Sequence, residues 1–473
     1  IRLATFNITS ILTGTGYTSS DYNNWGGFGL IIILIFVSKQ AYTAQSISII
    51  RDAEIEFFLH KIIQATIDKK TKTNLYYPRL VSSDEYNAFV TGSNKIYINT
   101  GLIKKANSLS EIQGIIAHEI GHLVLNHHNS RSINTRSLSN YSKFASIAGI
   151  ALSAVGKLDT NSAIGLIVGS KDLATKSSLQ FSRIQEQEAD KFALDMMRKK
   201  KIPFDGLELL LLNLSNEEVS GKTSFRDYYR SHPFSKQRLD QLKKYKANIK
   251  YSPNKIQNIL INDNKVSLKY IKNKIQAYNS EPYKILKNKV SNDIFLYNYS
   301  RVIAFYKIGK YDLANKHLKI LENEYKNYPY FFELSGDIYY KKGNFKKAIE
   351  EYKKAIKTVN GQFSPSSDLI KFSLVKSYIQ TNKQNNINES IIILEQLIHN
   401  SPKWSYLWRL LAKSSSKVNR KGISYIALAE EALIKKNFIK AKKYVDLANK
   451  QPSIPSSYKL RGADIVARIK MKK

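Results

Sequence analysis

Apolar residues recur at helical spacing from Ile50 to Ile67 (Ile55, Leu59, Ile62, Ile63, Ile67), which predicts an amphipathic helix. The pattern then changes. Asn87 to Val90 and Lys95 to Asn99 are short β-prone runs flanking Thr91, Gly92, Ser93 and Asn94, the signature of a hairpin. A second helix is expected from Ser110, whose spacing to Gln113 fits a capping box, with an apolar face running through Ile115, Ile116 and Leu123. A third covers Glu186 to Lys199 and stops before Pro203. Between the last two lies a Ser- and Gly-rich stretch, 129–180, with short apolar pieces at 142–155 and 161–169. An insertion of this length between regular helices is often functional, for example as a lid.

The C-terminal third repeats itself. Gly309, Tyr311 and Ala314 recur as Gly343, Phe345 and Ala348, a period of 34 residues, and Phe305, Leu318 and Leu321 map onto Tyr339, Tyr352 and Ala355. The register continues, with an insertion, at Ser390, Leu394, Leu397 and Pro402, and returns at Phe438, Ala441 and Ala448. A 34-residue period with Gly at the turn, Ala at the helix crossing and a large residue per helix is the tetratricopeptide pattern. Each unit buries its apolar face only against the next one.

At the other end, Phe28 to Val37 form ten apolar residues followed by Lys39 and the small-residue stretch from Ala41 to Ala44. That is about half a membrane span and fits the core of an export signal. Only Arg2 is basic upstream, and Tyr42 is a poor residue three before a cleavage after Ala44. The expected organisation is a leader over 1–44, a catalytic domain over 45–250, a helical connector over 251–296 and repeats over 297–473.

Composition narrows the chemistry. The 473 residues contain no cysteine, which excludes disulfide staples, thiolate metal sites and cysteine nucleophiles. The 74 basic and 38 acidic residues leave +36, and residues 251–473 hold 42 of the former and 17 of the latter. The charge therefore belongs mainly to the repeats, where pairs such as Lys353 and Lys354 stand beside Glu350 and Glu351 on solvated helix faces. No zinc-finger, RNA-recognition or phosphate-loop motif accompanies it, so no nucleic-acid partner is expected. An acidic partner or an anionic membrane surface suits the charge better.

With sulfur absent, any metal must sit on histidine and carboxylate. His118, Glu119 and His122 form an HExxH motif on the second helix. Residues i and i+4 share a face, so both imidazoles can meet one tetrahedral ion about 2.0–2.1 Å from each nitrogen. Glu119, one step round, can take a proton from an activated water without being a ligand. For a third ligand, His128 stands where a metzincin places its last histidine, but that pattern needs a helix-breaking glycine at 125, where this chain has Leu125. His127 and His128 therefore read as the solvated end of a helix. Glu186 is the stronger candidate: it shares a face with Asp190, Ala193 and Met197, and Asp190, one turn on, can accept the outer N–H of a ligating histidine. Glu188 falls on another face, with Phe192 and Asp195, and reads as a solvated acid.

With its HExxH and downstream ExxxD, the chain resembles the M48 family of zinc metallopeptidases, and with its repeats the periplasmic, tetratricopeptide-bearing branch concerned with outer-membrane assembly. The likeness covers about residues 50–450 and includes Arg51 to Glu56, Asn87 to Val90, Thr100 to Leu102, Ser182, Arg183, Ser231 to Pro233 and Arg238. It implies one zinc ion on His118, His122 and Glu186, Glu119 as general base, Asp190 as outer partner, and His232 as a histidine near the metal that can block the site until substrate arrives. On chemistry alone His232 can equally donate to an oxyanion. Arg238 pairs with a nearby carboxylate in this reading and has no catalytic role.

The expected fold is mainly α with a small β-hairpin or sheet: a zincin-like metallopeptidase domain followed by an α-solenoid of tetratricopeptide repeats. The expected function is a zinc endopeptidase of the cell envelope, exported to the periplasm, acting on unfolded or stalled outer-membrane proteins. Its repeats would dock substrate or the β-barrel assembly machinery, and a membrane surface is a further expected contact. The competing expectation is a repeat scaffold or chaperone whose protease is secondary or silenced by His232.

Overall fold

A computed structural model of the protein describes residues 48–67, 76–91, 94–127, 183–220, 228, 232, 236–254, 258–261, 264–287, 292–359 and 364–471. The leader, the 129–180 insertion and His128 lie outside the described residues. The chain divides into two compact units, one holding residues up to Ile50 and His60–Gln257, the other Arg51–Leu59 and Asn258–Lys473.

In the first unit, strands β1 (Ile49–Ile50), β2 (Tyr77–Val81), β3 (Ala88–Val90) and β4 (Lys95–Asn99) form one sheet in the order β1-β2-β4-β3. The hairpin of β3 and β4 is antiparallel, with Phe89 opposite Tyr97 and their rings stacked 4.9 Å apart. The sheet is larger than the hairpin alone: β2 pairs in parallel with β4, and β1 antiparallel with β2. Helix α1 (Ala53–Thr66) is divided between the two units at residue 59. Short helix α2 (Thr100–Lys105) leads into α3 (Leu109–Val124), which packs on β3 and β4 and against α4 (Arg183–Lys199) and α5 (Asp205–Ser220). Helix α6 (Lys236–Ala247) packs on α4 and α5.

Helix α3 starts earlier than the spacing of Ser110 to Gln113 implies. Its N-cap is Ser108, whose side chain accepts from Glu111 N–H, while Glu111 accepts from Asn107 N–H at 2.7 Å. Ser110 is inside the first turn and buried, so the cap is Ser108, with Glu111 reaching back to the residue before it. Every residue from Leu109 to His122 is buried, so α3 is a core helix on all sides, polar residues included.

The second unit begins with a hairpin, β5 (Asn258–Ile261) and β6 (Asn264–Ser267), ahead of helices α7 (Leu268–Asn279) and α8 (Pro282–Lys287). Among the described residues ten helices follow: α9 (Ile294–Lys307), α10 (Tyr311–Glu324), α11 (Pro329–Lys341), α12 (Phe345–Val359), α13 (Ser364–Thr381), α14 (Gln384–Asn400), α15 (Ser405–Lys417), α16 (Lys421–Ile434), α17 (Phe438–Asn449) and α18 (Ser456–Lys470). Helices that are neighbours in sequence pack on one another, as a solenoid requires. The turns after α9 and α11 contain Gly309 and Gly343, both at φ +76°, with nothing within 4 Å of where a Cβ would be. Their requirement is conformational and not steric. Asn382, Asn419 and Lys436 take the same left-handed position in the turns before α14, α16 and α17.

Residues 51–59 are held within this second unit by a buried network. Glu54 accepts from Lys274 Nζ at 2.8 Å, from Tyr328 at 2.5 Å and from the Tyr299 hydroxyl, while Lys274 also reaches Asp52 at 2.8 Å. Burial works against a charged Lys274, but Asp52 and Glu54 overcome it and hold its pKa well above the usual range.

Candidate metal centre

Helices α3 and α4 cross closely because both are bare at the contact. A Cβ on Gly121 would lie 3.1 Å from Ala189 Cα and 3.2 Å from Ala189 O. This approach brings Glu186 against the two motif histidines. His118 Nε2 and His122 Nε2 are 3.1 Å apart, and Glu186 places one carboxylate oxygen 3.4 Å from each. His232 joins them from the chain before α6: its Nδ1 is 3.3 Å from His118 Nε2 and 3.1 Å from Glu186 Oε1. The four residues are buried, and their ligand atoms all lie within 4.8 Å of one another.

The outer sides of the two motif histidines explain which way these nitrogens face. His118 Nδ1 lies 2.9 Å from Asp190 Oδ1. Asp190 is held in turn by Arg238, with Nε at 2.6 Å and Nη2 at 2.9 Å, and Arg238 Nη1 reaches Glu186 Oε2 at 2.9 Å. His122 Nδ1 lies 2.9 Å from His127 Nδ1, and His127 Nε2 lies 3.1 Å from Glu188 Oε2. His118 Nδ1 faces Asp190 and His122 Nδ1 faces His127, so the Nε2 atoms of both motif histidines are turned inward, toward Glu186. Three carboxylates, Glu119, Glu186 and Asp190, share this buried volume with Arg238 and the imidazoles of His118, His122 and His232. The donor set therefore fits a divalent cation.

The electrostatics agree. Burial penalises the Glu186 carboxylate, but His232 and Arg238 more than offset this and hold its pKa well below the usual range. Asp190 is lowered too, burial being overcome by Arg238 and His118. Burial keeps His122 neutral, far below its ordinary value. At His118 burial is outweighed by Asp190 and Glu186, which push it up to about 9.

Glu119, next to His118 in the chain, is raised mainly by burial. Its Oε1 lies 3.3 Å from His232 Nε2 and accepts from Tyr228 at 3.2 Å. Its Oε2 is buried with no hydrogen-bond partner among the described residues. Tyr228 also stacks on His232, ring centroids 4.4 Å apart and 23° between planes, and its carbonyl accepts from His232 N–H at 2.8 Å.

Thus the structure brings His118, Glu119, His122, Glu186, Asp190 and His232 together. It corrects one expectation. His127 is not a solvated helix end: it is 4% exposed and packed edge-on against His122, because Asn126 (φ 56°) breaks the helix and returns the chain. Glu188 is exposed, as expected of a solvated acid, and is also the partner of His127. Tyr228 is a contact that sequence reasoning missed altogether. Its only signal is a tyrosine four residues before His232, in a stretch with no regular pattern.

Comparison with known proteins bears on both parts of the chain. Residues 50–246 match peptidase family M48, and residues 336–360 match the TPR repeat. The chain is 31% identical over 137 residues to "Protease HtpX homolog" of Thermoanaerobacter pseudethanolicus, covering 26% of this chain and 44% of that protein. It is 28% identical over 186 residues to "Metalloprotease YcaL" of Escherichia coli, 39% of this chain and 67% of that one. It is 20% identical over 367 residues to the "Beta-barrel assembly-enhancing protease" of Escherichia coli, 74% of this chain and 69% of that one. The first of these relatives is thus spanned over less than half its length.

Proposed function

With residues 50–246 a peptidase family M48 domain and residues 336–360 a TPR repeat, we propose that this chain is a zinc-dependent endopeptidase of the cell envelope. The observation that carries the reading is the convergence of His118, His122, Glu186 and His232 within 4.8 Å, on helices that also present Glu119 to the same point. In this reading His118, His122 and Glu186 hold one ion, and the compact nitrogen and carboxylate set suits zinc. A zinc ion bound there supplies Lewis-acid polarisation of the scissile carbonyl and makes water more acidic.

The chain's own residues do the rest. Glu119 Oε2 is the oxygen available to take a proton from the attacking water and deliver it to the leaving amine. Asp190, clamped by Arg238, fixes the ring of His118. His232 lies across the cluster with one nitrogen toward the ligands and the other on Glu119, so it covers both ligands and base and must swing aside for a carbonyl to enter. Strand β3 ends the sheet and is the edge where an extended peptide would pair.

The substrate class follows from the Escherichia coli relative, whose name makes it a protease that enhances β-barrel assembly. Stalled or misfolded outer-membrane proteins are the proposed substrates, the periplasm the proposed compartment, and the repeats the proposed docking surface for substrate or assembly machinery. The basic charge of residues 251–473 adds an anionic membrane surface as a proposed contact. No described helix is long and apolar enough to cross a membrane. The position of His232 also favours a second reading, a repeat scaffold or chaperone whose protease is silenced.

Glu119→Gln tests both. Cleavage of casein or an unfolded barrel protein should fall about 10²–10⁴-fold, while metal content by mass spectrometry stays at one zinc per chain. Undiminished cleavage would remove Glu119 as base. A zinc-loaded protein that cleaves nothing, even as His232→Ala, would leave the scaffold.

A further inference from the structure

We propose that Asn126, His127 and Glu188 form a positioning device for His122, holding its ring from outside so that its Nε2 faces the metal; the proposal rests on the metal-centre reading above. On an uninterrupted helix residue 127 would lie 500° beyond residue 122, about 140° round the axis, and could not touch it. The helix instead ends at Leu125, whose N–H bonds to Gly121 O at 3.0 Å, and Asn126 enters the left-handed region at φ 56°, with its N–H on Leu123 O at 3.2 Å. Asparagine tolerates this conformation better than any other side-chain-bearing residue. The reversal seats His127 in the core with its ring 5.1 Å from that of His122, at 69°.

The hydrogen positions then follow by elimination. The Glu188 side chain is 54% exposed, sits at the rim, and as a carboxylate only accepts. The proton of a neutral His127 is therefore on Nε2, its Nδ1 carries a lone pair, and that lone pair accepts the Nδ1–H of His122 across 2.9 Å. His122 is left with its Nε2 lone pair facing Glu186 and His118. The chain from Glu188 through His127 to His122 thus admits one arrangement of neutral rings, the one that presents a ligand.

His118 reaches the same orientation by a different route, through a carboxylate locked by a buried guanidinium. The two ligands are thus supported by unlike partners. The one on His122 is reached from the rim, two residues along α4 from Glu186.

The test is metal affinity of the full-length protein, measured by competition between zinc and a chromophoric chelator. It is paired with the visible spectrum of the cobalt-loaded form, which reports ligand geometry. His127→Phe keeps the bulk and removes the acceptor; the zinc dissociation constant should rise roughly 10–100-fold and the cobalt bands should shift. His127→Gln, whose amide oxygen can accept from His122, should recover much of the loss. Glu188→Ala, at an exposed position, should weaken zinc several-fold and supplies the measurement if His127→Phe fails to fold. A His127→Phe protein with wild-type affinity and spectrum overturns the proposal, as does equal loss in the Phe and Gln variants, which would indicate packing alone. Wild-type protein that takes up no zinc would overturn the metal-centre reading itself.

Discussion

Both units bury carboxylates, and they treat them differently. In the second unit Glu54 meets Lys274 and the hydroxyls of Tyr299 and Tyr328, so its acceptors find donors. In the first, Glu186 and the Nε2 atoms of His118 and His122 turn toward one another, and Glu119 Oε2 is buried with no hydrogen-bond partner among the described residues. One network closes on its own donors. The other converges nitrogen and carboxylate atoms on one point, an arrangement that a cation can fill.

The contrast can be broken experimentally. Arg238→Met should cost the metal-free protein about 3–5 kcal/mol, the usual result of leaving buried acids without their cation, read as a fall in unfolding midpoint. A loss within 1 kcal/mol would mean that Arg238 does little to offset the buried acids. Zinc at a thousandfold excess over its dissociation constant should stabilise the wild type by about 4 kcal/mol, and Glu186→Gln should abolish most of that gain. Calorimetry with and without metal reads it, and an unchanged midpoint in the wild type would contradict a metal site at this cluster.

Acid separates the units further. Burial and then the charge of Lys61 push His60 down to about 4, against a backbone hydrogen bond at Tyr76. The unfolded chain therefore binds a proton near pH 6.5 that the folded first unit refuses until about 4. Stability should fall as pH drops through that window, by about 3 kcal/mol at roughly 1.36 kcal/mol per pH unit. His60→Gln should flatten that slope in urea titrations at pH 4–7, and a slope that survives would place the acid sensitivity elsewhere. Lys274 behaves oppositely. Its folded pKa is raised, so its contribution is fully present below the unfolded value and is lost only as alkaline pH passes the folded one. Lys274→Met should cost about 1–3 kcal/mol, less than Arg238→Met because Glu54 keeps two tyrosine donors. Zinc affinity should not move; if it did, the closed network would be part of the site.

What the sequence made legible was whatever obeys a fixed period. His118 and His122 at i and i+4, and Glu186 and Asp190 at the same spacing, share helix faces whatever surrounds them. The hairpin of β3 and β4 followed from alternation and turn residues, while β1 is too short to show any period, and β2 pairs in parallel with β4. His127 was misread because helical periodicity was continued through Asn126, where one left-handed residue resets the phase. The repeats show the same effect. Gly309 and Gly343 announce their turns, whereas Asn382, Asn419 and Lys436 adopt the same conformation without the residue that would reveal it. Tyr228 and His232 come together through folding outside any regular element, and spacing carries no information there.

The bare crossing at Gly121 and Ala189 has one more consequence. The opening between the histidine pair and Glu186 is gauged where two helices have almost no side chains, so the cage is sized by an omission. A methyl group at position 121 would force the backbones apart by a few tenths of an ångström and leave every donor in place. A wider ring of the same atoms suits a larger ion with more ligands, such as manganese or calcium, better than a small tetrahedral one. The identity of the preferred metal is then a property of the distance between two helix axes, and Gly121→Ala should change the ranking of ions before it changes the fold.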